Sequence, residues 1–298
     1  MGEFPTLSPS EFGACSSYST TLPESGAIQP ITELRTVTLV LVLGTGLCIA
    51  LALADWPGAP NHCLLQGDCY CEAPQLGPIA QPANTWSLLG FAVAALWVGW
   101  RSGRDRSNTA APYLRDRFYP GLYAAAVAFM GVGAALFHAS LTDWGGALDI
   151  LSMLGQVCFL LYYNLRSLYG WSRSRFLTAY SVTIAVLIAP RLLFGPAGVP
   201  FFVLLLIAWL ASETLIGRPA GRFGIRQQVV RQRKFLWASL ATNLVALAIW
   251  SGSHLGGPLC DPGSPIQGHA VWHVLNAVAA ALLYPYLRSE RIVSQRAC

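Results

Sequence analysis

The sequence predicts an all-α, polytopic membrane protein with a seven-helix transmembrane core and one extra N-terminal transmembrane helix. Three observations carry that reading. Of 298 residues, 54% are hydrophobic and 11% charged, whereas a soluble domain carries about 25% charged residues to cover its surface. Mean hydropathy is +0.48. Finally, Lys and Arg cluster in every second connection between apolar segments and are missing from the connections that alternate with them. A soluble enzyme, a disordered chain and a nucleic-acid binder are excluded, despite a formal net charge of +5.

Residues 1–35 hold Ser, Thr, Pro and Glu without a periodic apolar face and read as a disordered cytoplasmic tail. Eight segments then approach the roughly 20 mostly apolar residues that cross a bilayer. They are 36–54, 84–100, 118–141, 147–165, 176–194, 200–217, 235–251 and 270–287. The first ends Ala52-Leu53-Ala54, which fits a signal-peptide cleavage site, but its long polar lead favours a retained anchor. Residues 55–287 form the seven-helix core, and 288–298 a cytoplasmic tail.

Arginine orients the bundle. Connections 101–117, 166–175 and 218–234 and the C-terminal tail carry Arg and the lone Lys234, whereas 55–83, 142–146, 195–199 and 252–269 carry neither. By the positive-inside rule the first set is cytoplasmic. Cys63, Cys69, Cys71 and Cys260 fall in the outer connections, where disulfides form. Either Cys71–Cys260 or Cys69–Cys260 ties the second segment to the eighth, and the sequence leaves three pairings open. Arg191 and Glu213 lie near segment ends and read as side chains reaching outward to water.

Five histidines, His62, His138, His254, His269 and His273, all fall at or beyond the outer ends of these helices. His269 and His273 open the last segment as HxxxH, and residues four apart share a helix face. His138 sits in the last turn of the third segment, and Asp149 opens the fourth at the same depth. Three imidazoles with an open fourth position make a catalytic zinc site. Asp149 is then a fourth contact or the base that takes a proton from water, since an acid within a span is functional by default.

The chain resembles the alkaline ceramidases, within a membrane hydrolase superfamily that includes the progestin and adiponectin receptors and GPI-lipid remodelling proteins. The matching pieces are Cys71-Glu72, Asn84-Thr85-Trp86-Ser87, Phe137-His138-Ala139-Ser140 with Asp149, and Cys260 followed by Gln267-Gly268-His269-Ala270-Val271-Trp272-His273. The resemblance implies zinc on His138, His269 and His273, with Asp149 handling the proton. It implies a zinc-dependent intramembrane hydrolase that cleaves the amide bond of ceramide or a related N-acyl lipid to sphingoid base and fatty acid. The alternatives are a lipid ester hydrolase of the same superfamily and a non-catalytic, receptor-like zinc-binding bundle. The partner is a membrane lipid; no protein partner can be inferred. The zinc site would lie near the non-cytoplasmic face.

Two positions depart from the family pattern. Ala134 stands where the family has a Ser one turn before the first zinc His, so Ser87 or Ser140 would have to supply that hydroxyl, or zinc itself the lost polarisation. The family's calcium site is matched by Glu72, but its second acid is replaced by Gln81 and Asp68 is one residue out of register. Ca2+ is therefore expected only at Glu72.

This topology is testable by labelling. After mild reduction, a membrane-impermeant thiol reagent should reach the 55–83 connection from outside and leave a cysteine introduced into 218–234 unlabelled. The reverse pattern would invert the bundle.

Overall fold

A computed structural model describes residues 32–66, 70–105, 111–194 and 198–293. Most of the expected N-terminal tail, Asp68, Cys69 and residues 294–298 lie outside the described residues. Each of the eight apolar segments is helical. α1 spans Thr32–Leu53, and a short α2, His62–Gln66, follows it. The second segment is divided into α3, Pro82–Ser87, and α4, Leu89–Arg104. After the one-turn α5, Pro112–Arg115, come α6, Phe118–Ser140, α7, Asp143–Tyr169, α8, Arg173–Phe194, and α9, Gly198–Glu213. Strand β1, Gln228–Val230, precedes α10, Arg233–Gly252; α11, Gly268–Arg288, leads into β2, Arg291–Val293. Among the described residues, α1, α6, α7, α10 and α11 are long and apolar enough to cross a membrane by length and composition.

The departures from expectation have local causes. α3 and α4 separate at Leu88, where hydroxyls compete for helix carbonyls: Thr85 Oγ1 donates to Gln81 O at 2.7 Å and Ser87 Oγ to Asn84 O at 2.6 Å. α9 stops at Glu213 rather than 217, because the chain turns there through Gly217, whose φ is 93°. β1 and β2 add an antiparallel ribbon to an otherwise helical fold, with Val229 opposite Ile292.

Packing centres on α6 and α7. α6 holds α1, α4 and α7, while α7 also holds α8 and α9, and α11 packs on α10 and α4. The α6–α7 approach demands glycine. A Cβ on Gly133 would lie 2.8 Å from Leu148 O, and one on Gly145 would lie 3.0 Å from Phe137 Cα. Small residues permit such contact where lipid supplies no hydrophobic drive between helices. α10 meets the end of α9 through Arg233, whose Nη2 donates to Glu213 O and, just beyond the helix, to Ile216 O. Leu43 on α1, Leu204 on α9 and Leu244 on α10 are among the exposed apolar side chains, suited to lipid contact.

One end of the bundle is locked by a buried ionic cluster. The Arg231 side chain, between β1 and α10, is 0% exposed, and its Nη2 lies 2.6 Å from Glu290 Oε2. Nη1 donates to Asn164 Oδ1 at 2.6 Å. Glu290 also accepts the Tyr163 and Ser167 hydroxyls, each at 3.0 Å. Glu213 does not reach out to water: it turns inward and accepts from Asn164 Nδ2, Trp209 Nε1 and the Tyr286 hydroxyl. Burial opposes the Arg231 charge, but Glu290 and its neighbours hold the guanidinium pKa above its ordinary value. The cluster joins α7, α9, α11 and the turn before α10, so it fastens four parts of the chain at one point.

Removing one member leaves the rest buried and uncompensated. Arg231→Met should therefore destabilise the detergent-solubilised protein by about 3–5 kcal/mol, read as a lowered thermal midpoint. Arg173→Met, whose pair with Asp116 is exposed, should leave the midpoint unchanged. Equal effects would show that the cluster is not the fastening.

Candidate metal centre

The site begins where α6 ends. Leu141 closes the helix in the left-handed region (φ 47°), and Thr142 starts α7 by accepting from Gly145 N. The last carbonyls of a helix have no partner within it. Here the extended segment Ala80–Gln81 supplies two donors: Ala80 N bonds Ala139 O at 2.9 Å and Gln81 N bonds His138 O at 3.0 Å. That register brings the buried Gln81 side chain to His138. Gln81 Nε2 donates to Glu72 O at 3.0 Å, so its Oε1 is the acceptor lying 2.8 Å from His138 Nδ1. Nδ1 therefore carries the hydrogen and Nε2 presents its lone pair.

α11 supplies the other two imidazoles. Its start is fixed by Gln267, whose Nε2 donates to Asp261 O and Ser264 O. His273 Nδ1 lies 2.8 Å from Ser87 Oγ and 3.2 Å from Asn84 O. The Ser87 hydroxyl donates to Asn84 O, so it accepts from His273, whose Nε2 is again left open. His269 Nε2 faces His138 Nε2 at 3.3 Å, while its Nδ1 is buried without a partner. One ligand atom from each ring lies within 4.8 Å of the others, and among the described residues these three histidines alone form such a group. They are 1%, 5% and 5% exposed in chain order.

This donor set fits a metal ion. With a cation between them, His138 Nε2 and His269 Nε2 would both present lone pairs to it in place of their mutual hydrogen bond. Ligands about 2.0–2.1 Å from a tetrahedral ion stand roughly 3.3–3.4 Å apart, which the His138–His269 separation matches. Hydrogen bonds from the far nitrogens of His138 and His273 fix ring orientation, the usual support for metal-ligating imidazoles.

Tyr70 covers the group. Its ring centroid is 3.9 Å from that of His269 and 5.1 Å from that of His138. The adjacent Cys71 is bonded to Cys260, so the open pairing resolves to this one, and it ties the α3 side of the site to the α11 side. Burial and the nearby Asp149 carboxylate raise the Tyr70 phenol above its ordinary pKa. Asp149 stands in the second turn of α7, half-buried, and its carboxylate is not within the three-histidine group.

Glu72 is buried and serves as a helix cap. Its Oε1 accepts from Ala83 N at 2.7 Å and its Oε2 from Asn84 N at 2.8 Å, at the start of α3. Ser87 is committed to His273, and Ser140 to Leu136 O and Thr142 at the α6–α7 turn. Ala134 is buried one turn before His138. His62 and His254 are exposed, the latter against Trp250. Sequence reasoning did not find Tyr70, nor a role for Gln81 beyond its mismatch at an acidic position. The register between 80–81 and 138–139 assigns that role, and it has no signature in either segment alone.

Comparison with known families gives one match: the Ceramidase family model aligns with residues 70–297. No curated protein matches the chain.

Proposed function

The chain belongs to the ceramidase family, and from that premise we propose that it is a zinc-dependent hydrolase cleaving the amide bond of ceramide or a related N-acyl lipid. The observation that carries the proposal is the convergence of His138, His269 and His273, each able to present a ring nitrogen to one point. These three would hold the ion, with Gln81 and Ser87 fixing two of the rings. Bound there, zinc supplies Lewis-acid polarisation of a carbonyl and lowers the pKa of water to about 7.

The remaining steps belong to the chain. Asp149 accepts a proton from the attacking water as the new C–O bond forms at the amide carbon. It returns that proton to the amide nitrogen as the C–N bond breaks, giving a fatty acid and a sphingoid base. Tyr70 and Phe137 shield the site from water on one side. A lipid amide would approach the site from the bilayer along the exposed apolar side chains of α9 and α10. The arginine-rich connections support a site on the non-cytoplasmic side. The proposal makes no use of calcium: Glu72 caps α3 and, among the described residues, it joins no group of metal-ligating side chains. Ala134 favours one second reading, a metal-binding bundle without turnover.

Metal analysis and turnover on labelled ceramide, measured together, separate these readings. The purified protein should hold about one zinc per chain, and the double variant His269→Ala/His273→Ala should hold none. Full zinc in the double variant would place the ion elsewhere. Asp149→Asn should keep zinc and lower kcat by about 10²- to 10⁴-fold; an active variant would reduce Asp149 to a structural residue. Zinc without turnover on any lipid amide or ester would favour the non-catalytic bundle, and turnover of a phospholipid ester alone would make the protein an esterase.

Position 134 gives an independent check. With Ser87 and Ser140 both committed, Ala134→Ser should add a donor beside His138 and raise kcat, by up to about 10²-fold if it meets the developing oxyanion. Unchanged turnover would mean that no hydroxyl is used there.

A further inference from the structure

A cavity of about 520 Å³ opens where α5, the start of α10 and the end of α11 meet. It is separate from the histidines: Arg288 on its wall follows His273 by 15 residues of one helix, about 22 Å at 1.5 Å per residue. Three arginines from three elements line it, Arg115 of α5, Arg288 of α11 and Arg291 of β2. The acid on the same wall, Glu290, has its carboxylate engaged by Arg231, Tyr163 and Ser167. Arg288 Nε faces Asp105 at 2.9 Å, but Asp105 also meets Arg101 at 3.3 Å, so one acid is shared between two cations. Arg291 is exposed, with no side-chain hydrogen bond or ion pair to the described residues. The excess of positive charge in the cavity therefore rests on Arg288 and Arg291.

The other walls mix Gln232 and Ser289 with apolar side chains. Phe235 and Pro285 line the cavity, and Pro285 ends a stripe on α11 that runs through Val274, Val278 and Leu282. Residues three and four apart share a helix face, and Val274 and Val278 on this one are exposed. A cationic cup at the foot of an apolar stripe matches a molecule with an anionic head and hydrocarbon chains. A free phosphate would use the cup and leave the stripe unexplained.

We propose that this cavity binds the phosphate headgroup of an anionic phospholipid, with its acyl chains lying along the α11 stripe. Basic pockets between membrane helices hold such headgroups through charge, and their attraction acts over a short range. The site takes part in no step of the hydrolysis and does not depend on zinc.

The test uses the full chain in detergent micelles, titrated with dioleoylphosphatidylglycerol, with dioleoylphosphatidylcholine or with inorganic phosphate, and bound lipid read by native mass spectrometry. Phosphatidylglycerol should be retained more tightly than phosphatidylcholine, and equimolar inorganic phosphate should not displace it. Arg291→Glu should weaken phosphatidylglycerol binding by about thirtyfold, the effect of one attractive charge lost and one repulsive charge gained. Arg218→Glu, an exposed arginine outside the cavity, should change it by less than about twofold. Arg291→Gln provides a milder variant if charge reversal lowers the thermal midpoint. Equal losses in the Arg291 and Arg218 variants, equal binding of phosphatidylcholine, or displacement by inorganic phosphate would each overturn the proposal.

Discussion

The carbonyls at the end of α6 need donors that α6 cannot supply, and the rest of the site follows from how they are met. Ala80 and Gln81 donate to Ala139 O and His138 O, which sets the chain before α3 antiparallel to the last turn of α6. That register carries Gln81 to His138, and it sets Glu72 over the first amides of α3. α3 in turn holds Ser87 and Asn84 against His273. One backbone pairing therefore orients two of the three imidazoles from opposite sides. A misplaced register would leave buried carbonyls without donors, each costing about 1–3 kcal/mol, so the arrangement is fixed before any ion is considered.

Much of the fold was legible in the sequence, for reasons that can be named. Helix positions follow from apolar length, and the arginine alternation needs no tertiary knowledge. The HxxxH spacing on α11 placed His269 and His273 on one face, and depth alone brought His138 and Asp149 to the same level. Contacts between distant segments were not legible. Gln81 looked like a substitution that weakened a cation site, yet its amide is suited to hold an imidazole tautomer, because one end donates to a carbonyl and the other accepts from Nδ1. Glu213 looked like a residue reaching for water. Its burial depends on Asn164, Tyr286 and Arg231 arriving from three other segments, and no local pattern announces them.

The two ends of the bundle handle polar groups differently. At one, Arg231, Glu290 and Glu213 satisfy one another almost completely, and the result is fixed geometry. At the other, His269 Nδ1 is left without a partner, and the Nε2 atoms of His138 and His269 meet only each other. Buried polar atoms without partners are rare and need a cause. The contrast supports stability at the ionic end and chemistry at the histidine end, joined by the α6–α7 pair, where Gly133 and Gly145 leave no room for a Cβ.

The disulfide between Cys71 and Cys260 spans 189 residues, and this separation bears on how the protein is made. The loop before α3 is synthesised early, whereas its covalent partner and two of the three histidines emerge only with the final helix. A chain halted before residue 260 would have no second imidazole of the centre and a Cys71 without its Cys260 partner. Completion of the centre therefore comes late in the life of the chain. Oxidation of Cys71 with Cys260 then reports that the segment before α3 and the segment before α11 have met.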